Sequence, residues 1–274
     1  MRETMASQNS ASGSFTDYRD DRLFVEAIEK CFIVLEAFGA RSPAMNIAQL
    51  SLKTGLGRSA IQRIVYTLSE LGYLQREEET KQLSLAPKSL SLGSRYIAAD
   101  NLIELAQPFL RDIAERFDET VTLARLDRSE IVVVSSVPSS QVISASVPVG
   151  ARYPIEGSAS GWVLVADMPE IAQLKIVEKI RSRTGSRWAS NDELLRRLEE
   201  VRVRGFSLIE PPLFLGGLSI AAPILNVDGT ACAALAVSCP TARWSIEEAS
   251  ARITPIIVHA GHALSRLNGW HGGE

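Results

Sequence analysis

Histidine is scarce in this 274-residue chain, and the three that occur, His259, His262 and His271, all lie at its C-terminal end. A Ser-His or Cys-His relay would need partners from remote parts of the chain. His259 and His262 stand at i and i+3 on one helical run, half of a zinc site, but spacing suggests no third ligand; solvated or packing histidines are the better account. Cysteine is as rare. Cys31, Cys232 and Cys239 are odd in number and lack metal-ligand spacing, which fits buried thiols in a reducing compartment better than a disulfide frame. No apolar run approaches the roughly 18 residues of a membrane span, and the polar opening from Met1 to Phe15 lacks a secretory core, so a cytoplasmic protein without a membrane partner is expected. There is no phosphate-binding loop and no Gly-x-Gly-x-x-Gly turn. The stretch Gly157 to Gly161 looks like a nucleophile elbow, but Ala159 occupies the centre where that elbow needs serine. No enzyme, metal or cofactor is expected. Charge of neither sign dominates: 29 basic against 32 acidic residues leave a net charge of −3, so any nucleic-acid role must rest on a local patch.

What is present is an ordinary globular balance, 46% apolar and 22% charged, over a length that suits two domains. Residues 1–20 read as a disordered tail. Phe24, Ile28, Cys31, Phe32, Leu35 and Phe38 recur at helical spacing until Gly39. Asn46 is placed to cap a short helix carrying Ile47, Leu50 and Leu52, and Thr54 to Gly57 reads as the turn that ends it. From Arg58 to about Glu70 a second helix puts Ile61, Ile64, Val65, Leu68 and Leu71 on one face and Arg58, Ser59, Gln62, Arg63 and Tyr66 on the other. Two short strands, Gly72–Arg76 and Lys81–Leu85, complete a winged helix-turn-helix over residues 21–86. Residues 87–100 read as a linker helix. A helix from Leu102 to Phe117 follows, with Pro108 expected to kink or restart it. Residues 101–268 then form an α+β domain with a mostly antiparallel sheet and 269–274 a tail. Its expected strands are Val121–Leu126, Ile131–Val137, Gln141–Val147, Phe206–Glu210, Leu218–Leu225 and Ala231–Val237, the last two joined at Asp228-Gly229. Helices are expected at Ser158–Ala166, Glu170–Ile180, Asp192–Arg204 and, through Pro255, Ile246–Leu267.

A helix-turn-helix binds DNA by placing its second helix in the major groove while flanking groups hold phosphates. Arginine can donate two hydrogen bonds to guanine and glutamine two to adenine, so Arg58, Gln62 and Arg63 suit base edges; Ser59 or Tyr66 suits a phosphate. From Arg41 to Arg76 there are five basic residues, Arg41, Lys53, Arg58, Arg63 and Arg76, against the single acid Glu70. The candidate DNA-binding set is therefore Lys53, Arg58, Ser59, Gln62, Arg63, Tyr66 and Arg76. The alternatives are a merely solvated face or a protein-contact module. Glu77, Glu78 and Glu79 at the wing tip would be repelled by phosphate, so that tip is expected to point away from a duplex.

From about Phe24 to Leu267 the sequence resembles the IclR family of bacterial transcriptional regulators. The resemblance is carried by Ile47-Ala48-Gln49-Leu50 to Gly55-Leu56-Gly57-Arg58-Ser59, by Leu68 to Leu74, by Ser158-Ala159-Ser160-Gly161, and by Ala221-Ala222-Pro223-Ile224 through Asp228-Gly229 to Ala234–Ser238. The order and spacing together are specific. The resemblance implies a winged helix, a linker helix and a GAF-like effector-binding domain, assembled as a homodimer or homotetramer on operator DNA. RNA polymerase is a further partner if the protein activates. Arg58 to Arg63 looks most like the branch that controls catabolism of aromatic acids such as protocatechuate and 4-hydroxybenzoate, with Gln62 departing from a basic residue common there. A small organic acid, aromatic by that likeness, is the implied effector.

Family members hold such acids where a helix starts at the Ser158 to Gly161 motif, and first-turn N–H groups at a positive dipole end suit a carboxylate. The matching positions are Ser158, Ala159, Gly161, Glu210, Ser219 and Ser238, with Arg152 and Tyr153 in the loop before the motif. Each has a plain structural alternative; Arg152, for one, has Glu156 as a surface partner. Trp162 departs from the family's basic residue and is expected to narrow the pocket or meet another subunit. Two readings result: a ligand-responsive transcription factor, or a metabolite-binding enzyme or sensor whose winged helix only contacts protein.

Overall fold

A computed structural model describes residues 21–184, 190–211 and 216–272. The expectation for residues 1–20 lies outside them. The chain divides into two compact units, one reaching to Tyr96 and one starting at Ile97.

The first unit orders α1 (Glu26–Glu36), β1 (Ala44–Met45), α2 (Ile47–Thr54), α3 (Arg58–Glu70), β2 (Leu74–Arg76) and β3 (Leu83–Leu85), followed by α4 (Leu90–Ala99). Asn46 caps α2 through a reciprocal box, its side chain accepting from the Gln49 amide and Gln49 returning a bond to the Asn46 amide, both at 2.9 Å. Gly55 ends α2 in the left-handed conformation, φ +73°, which glycine adopts without cost. Ile61, Val65 and Leu68 bury the inner face of α3 against Val34, Phe38, Leu50, Leu74 and Leu83. Each such side chain contributes roughly 1.5–3 kcal/mol. The hairpin is shorter than expected and gains β1, which pairs with β3 through Ala44↔Ser84 and Met45↔Leu83. Two expectations fail. Ile28 and Phe32 are more than half exposed and Leu52 is 88% exposed; the buried positions near α1 are Val34, Ala37 and Phe38, so helical spacing identified a stripe but not what covers it.

The second unit contains α5 (Asn101–Phe117), β4 (Thr120–Asp127), β5 (Glu130–Val137), β6 (Arg152–Pro154), α6 (Ala159–Ala166), α7 (Glu170–Thr184), α8 (Asn191–Arg204), β7 (Ser207–Ile209), β8 (Gly217–Leu225), β9 (Ala231–Pro240), α9 (Ile246–Arg252) and α10 (Thr254–Leu267). The six strands form one antiparallel sheet ordered β6-β5-β4-β9-β8-β7. One face carries Val121, Leu123, Leu235 and Val237 against Leu110 and Ile113 of α5 and Ile257 and Leu264 of α10. The other carries Ala124, Ala221, Ala234 and Ala236 against α6, α7 and α8. Four alanines on that face let α6 lie close to the sheet, leaving space beyond its N-terminus.

Three further expectations are corrected. Pro108 does not restart α5, which runs through it as one helix with the proline on its exposed side. The closing helix is interrupted at Ile253, and Pro255 occupies the first turn of α10, a position that needs no amide hydrogen. Gln141–Val147 is not a strand: β6 pairs with β5 along Glu130–Val132, and side chains hold the backbone of the 141–147 segment.

Candidate functional site

In α3 the five polar residues stand at i, i+1, i+4, i+5 and i+8, one face of the helix. Arg58, Ser59, Gln62, Arg63 and Tyr66 are all exposed, as are Lys53 on α2 and Arg76 on β2. Gln62, Arg63, Tyr66 and Arg76 line a single groove between α3 and the strands, so donors distant in sequence share one surface. At the wing tip Glu77 is engaged locally, accepting from the Thr80 hydroxyl at 2.5 Å.

In the second unit a small, partly open cavity lies beyond the N-terminus of α6. Its floor is one face of the sheet: Ile131 and Val133 from β5, Thr122 from β4, Ala236 and Ser238 from β9, Ser219 from β8. Ser219 and Ser238 are direct cross-strand partners, as are Thr122 and Ala236. Tyr153, Gly157, Ser158 and Ser160 close one side, Ala145 and Val147 another. Ser158 caps α6, its Oγ accepting from the Gly161 amide at 3.0 Å. The first-turn amides of Ala159 and Ser160 find no acceptor among the described residues. The turn before Ser158 is braced by Glu156, whose two carboxylate oxygens accept from Arg183 at 3.0 and 2.7 Å.

No acidic or basic side chain lines the cavity among the described residues. Its polarity comes from neutral hydroxyls, and burial raises the Tyr153 phenol above its ordinary range, keeping it a neutral donor. Burial, with the nearby Glu119 charge, pushes the Cys239 thiol up to about 12, so it is protonated and no nucleophile. Hydroxyls beside a helix start, set in apolar walls, can fix the polar end of a small ligand and shelter its body.

Tyr153, Ser158, Ser219 and Ser238 thus meet at the cavity. Four other expected positions do not line it. Arg152 is drawn to Asp127 and Glu130 at 2.6 and 2.9 Å rather than to Glu156 or the cavity. Glu210 is exposed beyond the end of β7. Ala159 is buried, its side chain packed with the helix layer. Gly161 serves packing: a Cβ there would lie 2.3 Å from the Ile155 carbonyl oxygen. Trp162 neither narrows the cavity nor reaches the surface; it is buried and stacked under the Arg197 guanidinium at 4.8 Å. Thr122, Ser160, Ile131 and Val133 were missed. Strand parity held the signal, because alternate residues of β4 and β5 face one side. His259 and His262 are both exposed on α10, and no cluster of metal-ligating side chains occurs among the described residues.

Both units match known sequence families. Residues 27–78 match the IclR helix-turn-helix domain and residues 94–266 the bacterial transcriptional regulator IclR C-terminal domain. The chain belongs to the IclR family of DNA-binding transcriptional regulators, which are not enzymes. It is 30% identical to the Pca regulon regulatory protein of Pseudomonas putida over 250 residues, covering 90% of this chain and 85% of that one. At 29% it is nearly as similar to the transcriptional regulator KdgR of Escherichia coli, over 90% of this chain and 94% of that one. An IclR homologue from Microbacterium hydrocarbonoxydans, crystallised with 4-hydroxybenzoate, superposes with a TM-score of 0.75 at 23% identity, over 88% of this chain and 98% of that one. Among the described residues no helix is long and apolar enough to cross a membrane.

Proposed function

We propose that this regulator controls a catabolic operon and responds to a small aromatic acid held in the cavity at the start of α6. The observation that carries the reading is the chemistry of that cavity: hydroxyls of Ser158, Ser160, Ser219 and Ser238 beside untaken amides, with Ile131, Val133, Ala145 and Val147 as apolar walls. A carboxylate is stabilised by the amides and hydroxyls, and a planar apolar body by the walls. The 4-hydroxybenzoate in the Microbacterium homologue supports the acid class. The exposed α3 face, with Lys53, Arg58, Ser59, Gln62, Arg63, Tyr66 and Arg76, is the proposed operator surface.

The protein acts in this reading as a homodimer or a higher homo-oligomer, which the apolar surface of the first unit supports: Val25, Ile28 and Phe32 around α1, and Leu90, Leu92 and Tyr96 on α4, are all about half or more exposed. Coupling requires the acid to prefer one arrangement of the oligomer, because equal affinity for both shifts nothing. An activator of this design would have RNA polymerase as a further partner.

The deciding experiment is fluorescence anisotropy on DNA from upstream of the protein's own gene, at two salt concentrations, with and without a panel of aromatic acids. Tight, salt-sensitive binding altered by one acid is expected, since each phosphate contact releases counterions. Tight binding that no acid alters would overturn the aromatic-acid assignment. Binding no better than to random DNA would overturn the assignment of the operator to this region.

A further inference from the structure

We propose that residues 138–149 are a strap that covers one side of the cavity, and that Asp118 and Arg243 are the positioning residues that hold it in place, so that release of the strap widens entry. The proposal rests on the cavity being a ligand site.

The strap has the sequence of a strand but none of its ladder. Its backbone is held by side chains at three points. Thr120 Oγ1 donates to the Ala145 carbonyl at 2.8 Å, Arg243 Nη1 donates to the Ile143 carbonyl at 2.8 Å, and Asp118 accepts from the Ser140 amide at 2.9 Å and from the Ser140 hydroxyl. Ser139 Oγ adds a bond to the Asp118 carbonyl at 2.7 Å. From Gln141 to Gly150 no residue is buried; only Ala145 and Val147 are partly covered, and these are the two that wall the cavity. Val142 is fully exposed. The far end joins β5 at Gly150, φ +84°, whose amide bonds the Val133 carbonyl.

The base of the latch is rigid where the strap is not. Glu119 is wholly buried, and one of its carboxylate oxygens accepts from Arg243 Nε and Nη2 and from Trp244 Nε1 at 3.1, 2.6 and 2.7 Å. Two nitrogens of Arg243 are thereby fixed, and the third is aimed at the strap. A segment with almost no buried apolar surface, tied by a few edge hydrogen bonds to a fully packed base, opens locally long before the domain unfolds. Opening removes the Ala145 and Val147 wall and leaves the floor intact.

The test uses the full chain with Cys31, Cys232 and Cys239 replaced by alanine and one reporter, Ser219→Cys, on the cavity floor. The rate of maleimide labelling reads opening directly. Asp118→Gly removes the carboxylate while glycine keeps the φ of +51° found there; Thr120→Val removes a second anchor at nearly constant shape. Each is expected to speed labelling roughly tenfold, the shift produced by a hydrogen bond lost from the closed form alone. Thermal unfolding midpoints fall by no more than the few degrees that the lost hydrogen bonds account for, and amides 139–147 exchange before those of β5. Labelling as fast as in the unfolded chain, or a rate that neither substitution moves, would overturn the strap. The reporter needs no ligand, so failure of the acid reading shows only in a separate 4-hydroxybenzoate titration.

Discussion

Arg125 places Nε and Nη2 on one carboxylate oxygen of Asp100, at 3.1 and 2.6 Å, while the other oxygen of Asp100 caps α5 through the Leu102 amide at 3.1 Å. Its remaining nitrogen, Nη1, donates to the Cys232 carbonyl at 2.9 Å. Arg125 is on β4, three residues from Thr122 of the cavity floor, and Asp100 is the single residue between α4 and α5. One strand thus carries a cavity residue on one face and the fastener of the α4–α5 joint on the other.

Arg125→Met keeps the stem and removes the donors, leaving the mostly buried Asp100 carboxylate short of partners. We expect a loss of about 1–3 kcal/mol in urea unfolding of the second unit. Asp100→Asn, which retains an oxygen able to cap α5, is expected to lose less. Equal stability of wild type and Arg125→Met would show that the joint does not depend on this pair.

Gly161→Ala places a Cβ 2.3 Å from the Ile155 oxygen and 2.5 Å from its Cα, both backbone atoms that cannot swing away. The expected cost is about 1–3 kcal/mol, with loss of ligand response as the start of α6 is pushed off its turn. Gly93→Ala on α4 is the control. Its Cβ meets nothing within 4 Å, and the substitution should stabilise by roughly 0.5–1 kcal/mol. Thermal denaturation of the two variants checks both signs.

Arg63→Ala should weaken operator binding by about 1–3 kcal/mol, the usual worth of a bidentate base contact. Ligand affinity is expected to stay at the wild-type value, because Arg63 belongs to the other compact unit. Simultaneous loss of both activities would mean misfolding instead.

Asn46→Ala removes the side-chain arm of the capping box on α2, the bond that Asn46 Oδ1 accepts from the Gln49 amide, and leaves the residue-46 amide still able to donate to Gln49. A destabilisation of about 1 kcal/mol in the winged unit is expected, read by hydrogen exchange of the α2 amides. A cost within a few tenths would indicate that water replaces the cap.

Burial raises the Cys239 thiol from 9.0 to about 12 in the folded chain. The folded state therefore holds a proton that the unfolded state releases earlier. Its contribution is fully present below about pH 9 and is lost as pH rises toward 12. Cys239→Ala should flatten the alkaline fall in stability over that window. Native protein at pH 8 should show Cys239 unreactive toward a thiol reagent until denaturant is added. Prompt native labelling would contradict the burial argument.

Periodicity was enough to read α3, its polar face, the capped α2 and the paired strands around Asp228-Gly229, because each is encoded in neighbours a few residues apart. The Ser158 to Gly161 turn was legible as a helix start, and its place in a ligand site came from the resemblance to the IclR family. Whatever depends on a distant partner was not. Gln141–Val147 has strand-forming residues, yet Thr120 and Arg243 capture its carbonyls from remote positions, and β6 pairs with β5 along Glu130–Val132. Arg152 had several acids within reach in sequence, and the β5–β6 pairing set it beside Glu130 and Asp127 while Arg183 claimed Glu156. Trp162 sits on a helix apolar all round, whose buried positions periodicity cannot assign to one side. Local sequence determined which segments are helices and which faces are polar. The cavity, its strap and the pairing of its charges were decided only by tertiary structure, because hydrogen-bond and ion-pair choice depends on which groups folding brings within about 3 Å.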